Sequence, residues 1–234
     1  MPHLSTPDIA ALAFFAIAWL IYTRVIAGGH GDRRGLNFLM DEYRVAWMRE
    51  MAARDMRMVD SGIMASLQNG TAFFASTSIF AFGGAATLLR GADDAVKIFS
   101  ELSVGLTPTR GLFELKVLGL LVIFGYAFFK FAWAYRLFNF TAILIGATPG
   151  RTAGDADARD RMALRAAAMA KAAGAHFSRG QRAFFFALAY LGWFLGPWIF
   201  IATTAAVVFV MWARQFHSDA REALFPPGDS RAAP

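Results

Sequence analysis

The residues that could carry catalytic or metal chemistry in this sequence are few and scattered. None of the four histidines (His3, His30, His176 and His217) has another His, Asp or Glu at a spacing that would put two metal ligands on one helix face. The chain has no cysteine, which excludes disulfides, zinc–thiolate sites and a thiol nucleophile. No phosphate-binding loop, nucleophile elbow or catalytic pair of carboxylates is present. We therefore expect no enzyme activity, no metal and no cofactor.

Polar residues within apolar runs are a second source of chemistry, because such groups in hydrocarbon need partners and are often functional. Lys130 lies inside an apolar run that ends near Arg136, and its long stem could carry the ammonium group to the membrane interface. Asn69, Ser76 and Thr77 place polar atoms in the inner half of another run. These five residues are the candidate intramembrane polar site: either a polar path or groups satisfied by neighbouring helices.

The composition indicates which elements must position these residues. Hydrophobic residues make up 57% of the 234-residue chain, charged residues 17%, and the mean hydropathy is +0.43. Too few polar side chains remain to cover a soluble surface of this size. The net charge of +6 lies in the segments between apolar runs, where it suits anionic lipid head groups. The expected partner is therefore the lipid bilayer, and nucleic acid is not expected.

Four apolar runs are long enough to cross a membrane as helices: residues 9–26, 70–89, 112–137 and 183–213. The fourth would be about 46 Å long, so we expect it to tilt or to bend at Gly196-Pro197. Glu114 and Lys116 lie within one turn of the start of the third run, where we expect both to be solvated. The predicted fold class is all-α: a polytopic membrane protein with four transmembrane helices and a cytoplasmic amphipathic helical extension, in a single membrane domain.

The distribution of basic residues predicts the orientation. Segments 27–69 and 138–182 contain 13 Lys and Arg, whereas segment 90–111 and the two tails contain six. By the positive-inside rule the first two segments face the cytoplasm. Four crossings then place both termini outside the cytoplasm.

The two basic segments are predicted to contain amphipathic helices at about 37–68 and 155–178, the first either separate from the second apolar run or continuous with it. The apolar stripe of the first is rich in Met. It either packs on the Ala-rich second helix or the bilayer surface, or forms an interface for another subunit. Small residues in the fourth run permit close helix packing within one chain or between copies. The candidate partner or oligomer interface consists of Met48, Met56, Ile63, Gly192 and Gly196.

Four motifs resemble one family: the Phe177-Ser-Arg-Gly-Gln-Arg segment that leads through three consecutive Phe residues to Pro197, the run Arg44-Val-Ala-Trp47-Met48, the start Phe73-Phe-Ala-Ser76, and the tail Arg214-Gln-Phe216-His-Ser218. In combination they resemble domain-of-unknown-function family 599 over roughly residues 8–222. The resemblance implies a four-helix membrane protein of bacterial or plant type and lends no catalytic or binding residues. We accordingly expect a multi-pass protein of the bacterial inner (plasma) membrane.

Two functions fit these features. The preferred interpretation is a homo-oligomeric channel- or transporter-like protein for a small ion or solute, in which Lys130 and the basic helices favour anions. The alternative is a non-transporting membrane scaffold or assembly subunit that binds a protein partner on the cytoplasmic side through its Met-rich helix. Self-association is expected for the first function, and a separate partner for the second.

Overall fold

Helices account for nearly all of the residues that the computed structural model describes, which are 4–26, 35–94, 96–97, 109–151 and 155–225. The elements are α1 (Thr6–Ile21) with a π-helical turn after it (Tyr22–Ile26), α2 (Leu36–Ala53), α3 (Met58–Arg90), α4 (Arg110–Ala147), α5 (Ala156–Leu195), α6 (Pro197–Phe216) and the short α7 (Asp219–Glu222). No strand occurs within these ranges, which confirms the predicted all-α class.

Four segments are long and apolar enough to cross a membrane: Thr6–Arg24, Met58–Arg90, Arg110–Ala147 and Pro197–Glu222. The first three contain most or all of the predicted runs 9–26, 70–89 and 112–137. The chain also divides into two compact units. Unit 1 comprises Met1–Asn37, Ile79–Gly125 and Arg182–Pro234, and unit 2 comprises Phe38–Ser78 and Tyr126–Gln181.

In unit 1, the predicted span 183–213 is two helices, not one. α5 ends at Leu195, Gly196 adopts a φ of 138°, and α6 begins at Pro197. The Thr203 hydroxyl oxygen lies 2.8 Å from the Ala189 carbonyl oxygen, although these residues would be about 21 Å apart along a single helix. The chain therefore reverses at Gly196, and α5 and α6 form an antiparallel hairpin. This replaces the predicted tilt or bend.

Helix α1 packs parallel to α6. The ring of Phe15, just past the middle of α1, lies 5.0 Å from the ring of Phe200 in the first turn of α6. Further along both helices, Tyr22 and Trp212 line one groove. The beginning of α1 and the end of α6 consequently lie at opposite ends of unit 1. The location of both termini on one side of the membrane stays a prediction, because the structure contains no membrane.

Unit 2 is built around methionine and alanine. Met48, Met51 and Met64 are buried. They share one core with five buried alanines of α5: Ala163, Ala166, Ala167, Ala170 and Ala173. Small alanine side chains let the flexible methionines fill the space between the helices. For this part of the Met-rich stripe, packing on the Ala-rich helix is confirmed.

A four-residue elbow, residues 54–57, interrupts the helix predicted at 37–68. Arg57 holds the elbow by donating hydrogen bonds to the carbonyls of Ile145, at 2.8 Å, of Thr148, and of Pro149, at 2.8 Å. These carbonyls lie at the C-terminal end of α4, where backbone acceptors lack helical donors. Beyond the elbow, α3 continues without a break from Met58 to Arg90, so it contains the last third of the predicted amphipathic helix and the whole second apolar run.

The first turn of α3 carries a fully buried carboxylate, Asp60. It accepts hydrogen bonds from the Trp47 indole N–H at 2.7 Å and from the Arg54 guanidinium at 3.2 Å. A negative charge at a helix N-terminus is favoured by the helix dipole. Together, Asp60 and Arg57 fix the angle between α2 and α3.

Candidate functional site

Within the part of the chain that the structure describes, no hydrogen bond or ion pair joins any two residues of the predicted intramembrane polar site. The Lys130 ammonium lies 5.0 Å from the ring centre of Tyr126, one turn away on its own helix. The exposed Arg136 guanidinium lies over two aromatic rings of that helix, Trp133 and Phe140, at 5.9 and 5.4 Å. Both cations are therefore satisfied locally by aromatic faces.

The three candidate residues on α3 are exposed or bond within their own helix. Asn69 and Ser76 are exposed, and the Thr77 hydroxyl donates to the Phe73 carbonyl at 2.8 Å. The buried hydroxyls on this helix, Thr71 and Ser78, donate to the carbonyls four residues before them. Because these hydroxyls find acceptors one turn away, they need no water-filled path.

The five predicted interface residues separate into three groups. Met48 lies in the core of unit 2. Gly192 and Gly196 are buried in the α5–α6 hairpin, where a Cβ added at Gly192 would collide with the Thr203 side chain. Met56 and Ile63 are exposed, and the intervening Met58 and Val59 are exposed as well.

We call the four exposed residues Met56, Met58, Val59 and Ile63 the elbow surface. Their exposed fractions are 73%, 74%, 65% and 40%. The elbow turns the chain after α2, so Met48 faces the core whereas Met56, two turns along the same predicted stripe, does not. An exposed apolar surface of this kind is typical of an interaction site.

A buried charge cluster in unit 1 was missed by the sequence analysis. Lys116, predicted to be solvated, is 6% exposed, and its ammonium group donates to the Trp193 carbonyl at 2.7 Å. The Trp193 indole N–H in turn donates to the Asp8 carboxylate at 2.7 Å. Asp8 also forms a capping box with Ser5 at the start of α1. The cluster thus joins the N-terminal ends of α1 and α4 to the end of α5.

The α5–α6 hairpin explains why Lys116 bonds to the Trp193 carbonyl. In a continuous helix, the Trp193 carbonyl would accept from the N–H of residue 197, but Pro197 has none. The carbonyl accepts instead from the Gly196 N–H at 3.2 Å and from Lys116. In the sequence, the Gly196-Pro197 pair signals that a backbone donor is missing here. It does not show that the Lys116 ammonium, 77 residues away, replaces that donor. The cluster is self-satisfied, and we assign it a structural role.

His176 is the histidine whose surroundings most affect its protonation. Burial lowers the pKa of its imidazole, and the nearby positive charges of Arg179 and Lys130 lower it further. Its Nδ1 atom is buried without a hydrogen-bond partner, and the Trp133 ring lies 6.4 Å away. This histidine is held neutral near pH 7. In the described parts of the chain, no three His, Asp or Glu side chains are close enough to hold a metal ion.

These features define an all-helical protein with helices suited to a membrane and with an exposed apolar surface at the elbow. The sequence profile of the family described as "Protein of unknown function, DUF599" matches residues 10–220. The chain belongs to this family. Neither the curated proteins nor the solved structures gave a match. Family membership agrees with the resemblance seen in the sequence and leaves the activity to be inferred from the molecule itself.

Proposed function

We propose that this protein is a membrane-embedded assembly subunit that binds a protein partner through the elbow surface. The observation that carries the proposal is the exposure of Met56, Met58 and Val59, each at least 65% exposed at the start of a helix otherwise anchored in an apolar run. Large apolar side chains that water contacts this fully are costly to leave uncovered when they are grouped.

The length of α3 supports a position of the elbow surface outside the hydrocarbon. The helix has 33 residues and is therefore about 50 Å long, whereas the hydrocarbon layer is about 30 Å thick. The run 70–89 fills that thickness by itself. Residues 56–63 then lie beyond it, where lipid chains do not cover them and a protein partner can.

The α5–α6 hairpin supports an orientation with this surface in the cytoplasm. We infer that the end of α5 crosses the membrane beside α6, which gives five crossings. The three arginines of the C-terminal tail then join the 13 basic residues of segments 27–69 and 138–182. The opposite face keeps three: Arg90, Lys97 and Arg110. The difference in the number of basic residues between the two sides is larger with five crossings than with four. We therefore assign the more basic side to the cytoplasm of a bacterial plasma membrane.

Transport by an oligomer is the second candidate function. The observation that favours it is the outward orientation of Asn69 and Ser76, which would line a path only between copies of the chain. Lys130, which is half-buried near the middle of α4, would then be the charge that selects the solute. On this account Lys130→Met changes flux or selectivity in liposomes that contain only this protein, and on the assembly account no flux occurs at all.

A cross-linking experiment in intact membranes tests the assembly proposal directly. Because the chain has no cysteine, Met58→Cys provides a single thiol on the elbow surface. We expect a thiol-reactive cross-linker to give one discrete larger species, identified by mass spectrometry as a second copy or a defined partner. Ala168→Cys, exposed on α5, is the matched control and should give none. Equal cross-linking from both positions, or none from Met58→Cys, would contradict the proposal.

A further inference from the structure

The outer surface of unit 1 contains an apolar groove between the parallel helices α1 and α6. Its volume is about 460 Å³, within the range of small-ligand sites. Its lining includes the bulky Ile17 and Ile21 of α1 and Phe209 of α6, together with the small Ala18 and Ala205. The groove is open along one side, and nearly all of its lining is apolar.

Aromatic and positively charged residues mark one end of this groove. Tyr22 and Trp212 line it there, near the ends of α1 and α6. The charges of Arg182 and Arg214 are close enough to act on the Tyr22 hydroxyl, and the Arg214 guanidinium lies 5.7 Å from the Phe185 ring. Aromatic rings followed by arginines are the arrangement that membrane proteins present at the lipid head groups.

Arg24 and Arg214 carry positive charges near the Tyr22–Trp212 end of the groove, and these charges can interact with a ligand. Both are exposed, and no carboxylate within the described ranges forms an ion pair with either. Arg24 lies two residues after Tyr22 in the π-helical turn, and so at the same end of α1 as the aromatic end of the groove. The site therefore combines an apolar trough at membrane depth with an uncompensated positive charge at its mouth.

We propose that this groove binds an anionic phospholipid, with an acyl chain between α1 and α6 and the phosphate on Arg24 and Arg214. Charge complementarity selects the head group, because each basic residue at the membrane surface favours anionic lipid. The apolar lining favours a lipid acyl chain, but it does not discriminate among neutral lipids. The inference concerns unit 1 alone and does not depend on the elbow surface.

Native mass spectrometry of the detergent-solubilised protein tests the proposal. The probes are phosphatidylglycerol and phosphatidylcholine with identical chains, added at equal concentrations. We expect the wild-type chain to retain one phosphatidylglycerol with about tenfold preference. Arg214→Gln should lower that preference severalfold, while Arg90→Gln, an exposed cation at the other end of unit 1, should leave it unchanged.

A second pair of variants tests the groove itself. Ala205→Phe fills the groove and should abolish retention of the lipid, whereas Ala202→Phe, exposed on α6 outside the groove, should not. Thermal unfolding of each variant shows whether it is folded. Equal retention of the two lipids by the wild-type chain would overturn the proposal. So would a lipid-free dimer that is lost only in Ala205→Phe, because a second copy would then occupy the groove.

Discussion

Lys116, Trp193 and Asp8 show how a single missing backbone donor is compensated at the residue scale. Pro197 supplies no N–H, Lys116 supplies one from another helix, and Asp8 balances the charge that this places inside unit 1. Lys116 and Asp8 are linked through Trp193 and attract each other as opposite buried charges. Removal of one such charge leaves the other buried without compensation.

Replacement of Lys116 should therefore be strongly destabilising. Lys116→Met leaves the Asp8 carboxylate buried without its cation, and we expect a loss of about 3 kcal/mol in the free energy of unfolding. Tryptophan fluorescence during thermal unfolding in detergent measures this. Asp8→Asn combined with Lys116→Met should recover part of the loss.

Glu114→Gln is the matched control for this prediction. Glu114 forms an exposed pair with Arg110 at 2.8 Å, two residues from Lys116, and such pairs contribute less than about 1 kcal/mol. If Lys116→Met and Glu114→Gln lower the unfolding temperature equally, the buried cluster does not have the role assigned to it.

The sequence alone did not show that Lys116 is buried whereas Glu114 forms an exposed pair. Both lie within one turn of the same helix end, and distance from a helix end was the only measure available. Burial of Lys116 is decided by Trp193, which approaches only because the chain reverses at Gly196. By contrast, the Glu114–Arg110 pair follows from a spacing of four residues, which the sequence shows directly.

At the scale of elements, two short interruptions determine the fold. Gly196 and Pro197 turn a 31-residue apolar run into a hairpin, and residues 54–57 separate α2 from α3. A glycine and a proline in sequence fit a bend as well as a reversal. The choice depends on contacts between the two arms, such as Thr203 on Gly192 and the stacked rings of Trp193 and Phe200.

Glycine-to-alanine substitutions at the chain reversal and within a helix should change the free energy of unfolding in opposite directions. Gly196 has φ 138° and ψ 161°, a region that only glycine adopts readily, so Gly196→Ala should lower the free energy of unfolding by about 1–3 kcal/mol. Gly62 is helical and a Cβ there meets nothing within 4 Å, so Gly62→Ala should raise it by up to about 1 kcal/mol. Unfolding temperatures of the two variants compare them. A neutral Gly196→Ala would be incompatible with the reversal.

The apolar runs of α1, α3 and α4 were predictable because composition and length alone identify them. The Met-rich stripe was predictable only in part. Met48 and Met56 are equivalent on a continuous helix, but the elbow places one in the core and the other on the surface. Local contacts of Asp60 with Trp47 and Arg54 hold one side of the elbow, but Arg57 reaches its acceptors at the end of α4, 88 to 92 residues away, and the local sequence does not show these.

For the whole molecule, the number of membrane crossings connects the fold to the proposed function. Five crossings put the elbow surface, the Ala-rich part of α5 and the end of α6 on one side, and the end of α3 on the other. Four crossings, with residues 183–213 as one span, put the end of α6 on the same side as the end of α3. The location of a single residue after α6 separates the two arrangements.

Sidedness of cysteine labelling tests the account most directly. Gly91→Cys, Ala168→Cys and Ala220→Cys each provide one exposed thiol in a chain that otherwise has none. A membrane-impermeant thiol reagent should label Gly91→Cys from outside the cell. It should label Ala168→Cys and Ala220→Cys only in inverted vesicles. Labelling of Ala220→Cys from the same side as Gly91→Cys would contradict the hairpin, the five crossings and the orientation inferred from them.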